Sequence, residues 1–302
     1  MLGRRQIREK VVETLYSFYQ NPIAADILEK NMISQIEKIY HLYIYELNFL
    51  VGLKNVAEQQ IEIGKHKFIK TESTINPNQK FINNKVLQQL EENTERLSFT
   101  SKHLELKWDL YDDLLVRTFQ RIKAGKRYQD FMSDENSYSF EDDQKFIGKL
   151  FLRYIAENEH FHEHLEEKEL SWADDFHIAN SMIQKTVGFL KPNESSHTLI
   201  KMFKNDEDVD FAKNLLKYAI SHLQESEEKV KERLQNWDLE RISLIDKIII
   251  IAAITEMDYF PFTPSAVIMN EYIEISKVFS SEKSNIFVNG ILDKYIKDKN
   301  RV

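Results

Sequence analysis

Glycine and proline are scarce in this chain, which holds 7 glycines and 5 prolines among 302 residues. Tight turns depend on these two residue types, so a β-sandwich or a doubly wound sheet with many short connections would need more of them. Hydrophobic residues make up 42% of the chain, which is enough for a packed core. Apolar residues also recur at helical spacing through most of the sequence. We therefore predict an all-α fold.

Individual helices can be read from this spacing. An opening helix ends before Pro22, and its apolar face consists of Ile7, Val11, Leu15 and Phe18. A helix of unusual length is predicted over residues 24–64, and another over residues 81–125 with a break near Phe99. The densest apolar stretch, 237–257, is predicted to be a central helix because it is apolar on most sides.

Several functions are excluded by what the sequence lacks. There is no cysteine, which rules out disulfides, thiolate metal sites, iron–sulfur clusters and thiol nucleophiles. No two glycines lie within ten residues of each other, so the chain has no glycine-rich loop for a nucleotide or a methyl donor. The longest apolar run, Ile248–Ile254, is far shorter than the roughly 20 residues of a membrane helix. We expect a cytoplasmic protein without enzymatic activity, cofactor or membrane contact.

Charge is unevenly distributed along the chain. The net charge is −8, yet residues 1–20 carry +2 and residues 283–302 carry +3, which leaves −13 for the remainder. An acidic body with two basic ends indicates a local site for a polyanion. The alternative is that both basic ends are simply solvated.

Histidines cluster in the run EHFHEH at residues 159–164. Glu159 and His162 have the i, i+3 spacing that di-iron helical bundles use, but such a bundle needs a second copy on another helix. An instance of that spacing on another segment, at residues 194 and 197, falls in a predicted linker. His160 and His164 share one helix face while His162 lies on another. We therefore predict a solvated helix end and no metal site.

The opening helix carries a second face beside its apolar one. At about 100° per residue, two arginines and two tyrosines follow one another around this flank: Arg5, Arg8, Tyr16 and Tyr19. Guanidinium groups bind phosphates and aromatic rings stack on unpaired bases, so the flank suits RNA. In the alternative interpretation the tyrosines pack against the core and the arginines extend along it to solvent.

Several sequence blocks at the two ends of the chain form a recognisable set. The opening block is RRQIRE at residues 4–9, followed by Leu15 and Tyr16. The later blocks, in chain order, are WDLERI at 237–242, AITEM at 253–257, Pro264, VIMNEYIEISK at 267–277 and FVNGILD at 287–293. Together these blocks resemble the NusB family of transcription antitermination factors, and the resemblance covers residues 1–20 and about 207–302.

The resemblance implies an all-helical protein with two small helical subdomains and no catalytic activity. It would regulate transcription by binding the boxA element of ribosomal RNA leaders together with the ribosomal protein NusE. With other Nus factors, this complex keeps RNA polymerase elongating through terminators. A homodimer stays open by family analogy.

The resemblance also assigns roles to residues. The RNA contacts it implies are Arg4, Arg5, Arg8, Tyr16, Lys283 and Phe287. Lys283 is included because Ile286 stands before Phe287, where a basic residue would help RNA binding. Structural roles are implied for Trp237, Arg241, Asn270, Glu271, Asn289 and Gly290. We also hypothesise that the acidic run at 205–210 faces the basic NusE partner.

Members of the family are about half as long as this chain, so residues 21–206 are an addition. Apolar positions between 146 and 183 match those between 211 and 248 at a separation of 65 residues, with Trp172 against Trp237. We interpret this match as an internal duplication, although two amphipathic helices can also match by chance. The predicted division is a core of residues 1–20 with 207–302, an insertion at 21–140, and a duplicated hairpin with a linker at 141–206.

Two other functions stay open. One is a helical adaptor that has lost RNA binding and uses the added region for another partner. The other is the NusB-like domain of an RNA methyltransferase, which the absence of a glycine-rich loop and of any sequence after residue 302 disfavours.

Overall fold

The structure is a computed structural model, and it describes residues 3–66, 68, 71, 75–133, 139–192, 199–203, 205–234, 242–281 and 283–299. Every regular element in these ranges is a helix, and no strand occurs among them. The predicted all-α fold is therefore confirmed. None of the described helices combines the length and the apolar character that crossing a bilayer requires.

Fourteen α-helices are found in the described ranges. They are α1 Arg4–Gln20, α2 Ala25–Lys65, α3 Lys85–Glu92, α4 Thr94–Lys102, α5 Asp113–Ala124, α6 Lys126–Ser133, α7 Phe140–Phe151, α8 Glu159–Lys168, α9 Trp172–Phe189, α10 Asp206–Ser221, α11 Leu223–Lys231, α12 Leu244–Tyr259, α13 Ser265–Phe279 and α14 Ser284–Lys299. A 3₁₀ helix, Leu104–Leu106, follows α4, and a π-helix, Leu152–Ala156, continues α7.

The chain forms two compact units. Unit 1 consists of Met1–Ile36 with Lys201–Val302, and unit 2 consists of Glu37–Ile200. The first turns of the long helix α2 belong to unit 1 and the rest of that helix to unit 2. The division predicted from the sequence has its boundaries at residues 20, 140 and 206. It describes which segments were inserted or duplicated, and it stays a prediction.

Unit 1 is built around helix α12. Residues 248–257 of this helix are all buried, and α12 packs against α1, α10, α11, α13 and α14. A run that is apolar on most sides can be stable only when other helices surround it. The prediction that this stretch forms a central helix is confirmed for its described part.

Unit 2 is held together by aromatic side chains around the second part of α2. Tyr45 stacks on Trp108 at a centroid distance of 4.5 Å, and Phe49 packs against Phe161 at 4.8 Å. The indole nitrogens of Trp108 and Trp172 donate to backbone carbonyls of α2, at Tyr45 and Lys38. Each indole therefore buries its apolar ring while its N–H is satisfied.

The helix predicted over residues 81–125 has more breaks than the one expected near Phe99, which itself lies inside α4. The structure divides it into α3, α4, the 3₁₀ helix and α5, because polar residues cap new helix starts within it. Asn84 accepts hydrogen bonds from the backbone N–H groups of Val86 and Leu87, and Asn93 and Asp112 cap α4 and α5 in the same way. Such caps satisfy the free N–H groups of a first turn and so stabilise a break.

The helices of the two similar segments lie at corresponding positions. When 65 is added to the residue numbers of α7 and its π-helical continuation, the resulting range coincides with α10 to within about two residues. The same shift makes α8 coincide with α11 equally closely. When 65 is added to the residue numbers of α9, most of the resulting range overlaps α12. This agreement is what a duplicated helical unit would produce, and the duplication itself stays a prediction.

Helix α2 buries a carboxyl group in unit 2. Glu46 is 1% exposed, and neither carboxyl oxygen has a hydrogen-bond partner among the described residues. Burial raises the pKa of Glu46 well above its ordinary value of 4.5. The carboxyl is therefore neutral in the folded protein at pH values where it is ionised in the unfolded chain.

Replacing Glu46 with methionine should stabilise the protein. Methionine has a similar volume and carries no group that needs a partner, so we expect a gain of about 1–3 kcal/mol at pH 7. Because the folded-state pKa is raised, the native protein loses stability as the pH rises above about 4.5, and Glu46→Met removes this loss. Urea unfolding at several pH values measures both effects.

The matched control is Glu37→Met, at an exposed position of the same helix. It should change the free energy of unfolding by less than about 0.5 kcal/mol. A destabilised Glu46→Met variant at pH 7 would show that the carboxyl has a stabilising partner.

Candidate nucleic-acid interface

The opening helix is anchored in unit 1 by a buried ion pair. Arg8 on α1 is 3% exposed, and its guanidinium donates two hydrogen bonds to the carboxylate of Glu256 on α12, with an Nε to Oε2 distance of 2.8 Å. Tyr272 of α13 donates to the same carboxylate at 3.0 Å. Burial opposes the charge on Arg8, but the hydrogen bonds and charge of Glu256 outweigh it and raise the pKa of Arg8. A phosphate cannot reach this guanidinium.

The other two arginines of α1 are also ion-paired, but at the surface. Arg5 forms a two-point ion pair with Glu271 of α13, with N–O distances of 2.8 and 2.9 Å. Arg4 donates from Nε to Asp208 of α10 at 3.3 Å, and its guanidinium lies over the ring of Phe211. The side chains of Arg4 and Arg5 remain 45% and 41% exposed, so both are accessible to solvent.

The far end of α1 borders a cavity of about 440 Å³. Tyr16, which is 40% exposed, lines it together with Ser243 and Leu244 at the start of α12 and Phe279 at the end of α13. Gln20 donates a hydrogen bond to the Tyr16 hydroxyl at 3.3 Å. A half-exposed ring beside a second ring offers a surface on which an unpaired base can stack.

A second cavity, of about 470 Å³, lies at the start of α14. Its walls include exposed Lys283, half-buried Phe287 and, again, Ser243. Asp246 also lines it, with Oδ2 accepting from the Ser284 hydroxyl at 3.0 Å. A carboxylate in the wall repels phosphate and favours hydrogen-bond donors, such as base amino groups or the ribose 2′-hydroxyl.

Three of the residues expected to bind RNA are thus grouped around one point. Tyr16 lines one cavity, Lys283 and Phe287 line the other, and both cavities share Ser243. The arginines lie toward the opposite end of α1, with Arg8 about 12 Å from Tyr16 along the helix axis. The residues expected to bind RNA therefore form two separate groups, and burial of Arg8 excludes the direct phosphate contact expected of its guanidinium.

The residues expected to have structural roles differ in their placement. Glu271 fixes α13 to α1 through its ion pair with Arg5. Asn270, Asn289 and Gly290 are exposed instead, and the structural roles implied for them stay predictions. A Cβ atom at Gly290 would meet nothing within 4 Å, so no close backbone approach requires glycine there. Trp237 and Arg241 lie outside the described residues.

The histidine cluster at 159–164 does not converge. The ring of His160 contacts Glu163, that of His162 stacks on Phe176, and Nε2 of His164 lies 2.7 Å from the Tyr45 hydroxyl. The three imidazoles therefore point to different neighbours in unit 2.

Sequence reasoning missed the acidic partners of the arginines. Asp208, Glu256 and Glu271 lie far from α1 in the sequence, so no local spacing connects them. One signal was available for Glu256: it is the one carboxylate among the ten residues from 248 to 257, all of them buried. A charged group in such surroundings needs a partner of opposite charge.

Comparison with known proteins gives a consistent result. The model of the NusB family matches residues 180–297. The transcription antitermination protein NusB of Methylacidiphilum infernorum is 40% identical over 97 residues, which cover 32% of this chain and 68% of that protein. The chain belongs to the NusB family. The NusB proteins of Clostridium botulinum strain Hall and Bacillus mycoides are 38% and 37% identical, over 64% and 72% of their lengths.

The matches to these NusB proteins leave most of the chain uncovered. Each alignment spans 30–32% of this chain and about two thirds of the relative. The family-model match includes α10 to α13 and α14 as far as residue 297, and it therefore covers Lys283, Phe287 and the carboxylates that bind the arginines. Residues 1–179, which include most of the added helical region, lie outside the family-model match.

Arg8→Met should destabilise unit 1 strongly. The substitution leaves the carboxylate of Glu256 buried without its cation, which costs about 3–5 kcal/mol. Adding Glu256→Leu removes the unpaired charge, so the double variant should be more stable than Arg8→Met alone. Urea unfolding followed by circular dichroism measures all three proteins.

Lys277→Ala is the matched control in the same unit. It removes an exposed ion pair with Glu274 and should change the free energy of unfolding by about 0.5 kcal/mol or less. Equal losses for Lys277→Ala and Arg8→Met, or additive losses in the double variant, would contradict the role of the buried pair.

Proposed function

We propose that this chain is an RNA-binding transcription antitermination factor that recognises boxA-type RNA of ribosomal leaders together with the ribosomal protein NusE. Membership of the NusB family supports this assignment. The observation that carries it is the grouping of Tyr16, Lys283 and Phe287 around Ser243, where α1, α12 and α14 meet.

The chemistry of this group fits single-stranded RNA. Tyr16 and Phe287 present aromatic surfaces beside two separate cavities, so two bases can stack at neighbouring positions. Lys283 is exposed at the rim and supplies a cation for a phosphate between them. Ser243, the N-cap of α12, marks a helix start, whose free backbone N–H groups add positive potential.

In this proposal the arginines extend the RNA path along α1. Arg4 and Arg5 are partly exposed, and a phosphate can compete with Asp208 and Glu271 for their guanidinium groups. Arg8 acts indirectly, because its buried ion pair fixes the helix that carries Arg5 and Tyr16. The proposed mechanism is scaffolding without covalent chemistry: a weak RNA contact becomes effective when NusE is bound at the same time, since linked contacts raise the effective concentration.

RNA binding can be measured by fluorescence anisotropy with a labelled boxA-type RNA at 50 and 200 mM salt. We expect Tyr16→Ala and Phe287→Ala each to weaken binding about 5- to 150-fold, because each removes one stacking surface worth roughly 1–3 kcal/mol. A plot of log affinity against log salt concentration has a negative slope. Lys283→Ala should make this slope shallower by about 0.7, which corresponds to the loss of one phosphate contact.

Two controls separate these effects from general damage. Phe262→Ala removes a fully exposed ring in the same unit, and Lys297→Ala removes an exposed lysine farther along α14. Both should bind RNA like the native chain. If the native chain fails to bind RNA at 50 mM salt with and without NusE, the proposal is wrong and the adaptor function is favoured.

The acidic run at 205–210 is the proposed contact for NusE. Asp206, Glu207 and Asp210 are exposed, whereas Asp208 is buried against Arg4 and is not available. Changing the three exposed residues to amides should weaken NusE binding at low salt, with a smaller effect at high salt because the attraction is screened. Unchanged titrations at both salt concentrations would exclude this surface.

A further inference from the structure

Unit 2 contains a group of side chains with the composition of a metal site. Among the described residues, His41 on α2, His103 at the end of α4 and Glu105 in the 3₁₀ helix bring one ligand atom each within 4.8 Å of one another. The Nδ1 atom of His103 lies 3.3 Å from a carboxylate oxygen of Glu105. This group is separate from the EHFHEH run and from the residues of unit 1 discussed above.

Hydrogen bonds hold the two sides of this group in place. Asn48 of α2 donates to the Thr100 hydroxyl at 3.0 Å and to the Leu106 carbonyl at 2.9 Å, and so ties α4 and the 3₁₀ helix to α2. Trp108 donates to the Tyr45 carbonyl at 3.1 Å just beyond. The segment from 100 to 108 is therefore fixed along α2 at points on both sides of His103 and Glu105.

The two imidazoles are oriented by a common aromatic neighbour. Phe99 stacks on His103 at a centroid distance of 4.5 Å and meets His41 edge-on at 5.3 Å. The two imidazole centroids lie 4.4 Å apart. Glu105 is exposed on the other side, so the group is closed by a ring on one side and open to solvent on the other.

The electrostatic surroundings allow a cation to bind. Lys38 lies one turn before His41, but it forms an ion pair with Glu169 at 3.0 Å, which offsets its charge. A neutral imidazole presents the lone pair that a metal requires.

We propose that His41, His103 and Glu105 bind a divalent transition-metal ion, and that Zn²⁺ is the ion that fits best. Two imidazoles and one carboxylate form a ligand set typical of zinc, whereas calcium and magnesium prefer oxygen ligands alone. Bonds of about 2.0–2.2 Å require ligand atoms roughly 3.3–3.5 Å apart, so the ion would draw together side chains whose ligand atoms here lie within 4.8 Å of one another. The ion would link α2 to the segment after α4, with water in the fourth position.

The test uses the full chain without an affinity tag, stripped with EDTA and titrated with ZnCl₂ by calorimetry at pH 7.5. We expect about one zinc ion per chain and a higher melting temperature with zinc than without it. His103→Ala and Glu105→Gln should each weaken zinc binding at least about tenfold and reduce the thermal shift. Glu105 is exposed, so its substitution tests the ligand role without disturbing the core.

The matched control is His160→Ala, which removes an exposed histidine paired with a glutamate elsewhere in unit 2. It should bind zinc like the native chain. Titration with CoCl₂ adds a spectroscopic readout, because visible absorption reports the ligands, and Glu105→Gln should alter that spectrum. The proposal is overturned if the native chain takes up no zinc, or if His103→Ala binds zinc as tightly as the native chain does.

Discussion

The buried pair between Arg8 and Glu256 is the interaction on which unit 1 depends. It places a positive charge from the first helix of the chain against a negative charge from the central helix. Tyr272 of a third helix donates a hydrogen bond to the same carboxylate. An ion pair in such surroundings gains little net stability over apolar packing, but breaking it is costly. Its effect is therefore to select one arrangement of α1 on α12 and α13, because other arrangements would leave a charge buried without a partner.

That arrangement determines what the opening helix can present to a ligand. With Arg8 fixed in the core, one end of α1 places Arg4 and Arg5 beside Asp208 and Glu271, and the other end places Tyr16 beside the start of α12. The cations and rings on one helix flank thus serve different purposes. One arginine holds the helix, two remain at the surface in ion pairs, and the tyrosine borders a cavity.

Much of the fold could be predicted from the sequence, because α1, α2 and α12 form where apolar residues were recognised as helical from their spacing and density. The division of residues 81–125 was missed because apolar spacing alone ignores caps such as Asn84 and Asn93, although these residue types are recognisable start signals. The site was harder to predict. Motif resemblance pointed to Tyr16 and Phe287, each of which lines a cavity. Burial of Arg8, however, depends on a partner 248 residues away, which no local pattern reveals.

The surface pair between Arg5 and Glu271 has a consequence for proton binding. The hydrogen bonds and charge of Arg5 hold the pKa of Glu271 below its ordinary value. An anion that takes over the guanidinium removes this influence, and the released carboxylate then gains affinity for hydrogen ions. Capture of a polyanion at this end of the helix would therefore be coupled to protonation in mildly acidic solution. Calorimetry in buffers of different ionisation enthalpy would detect it as a buffer-dependent heat.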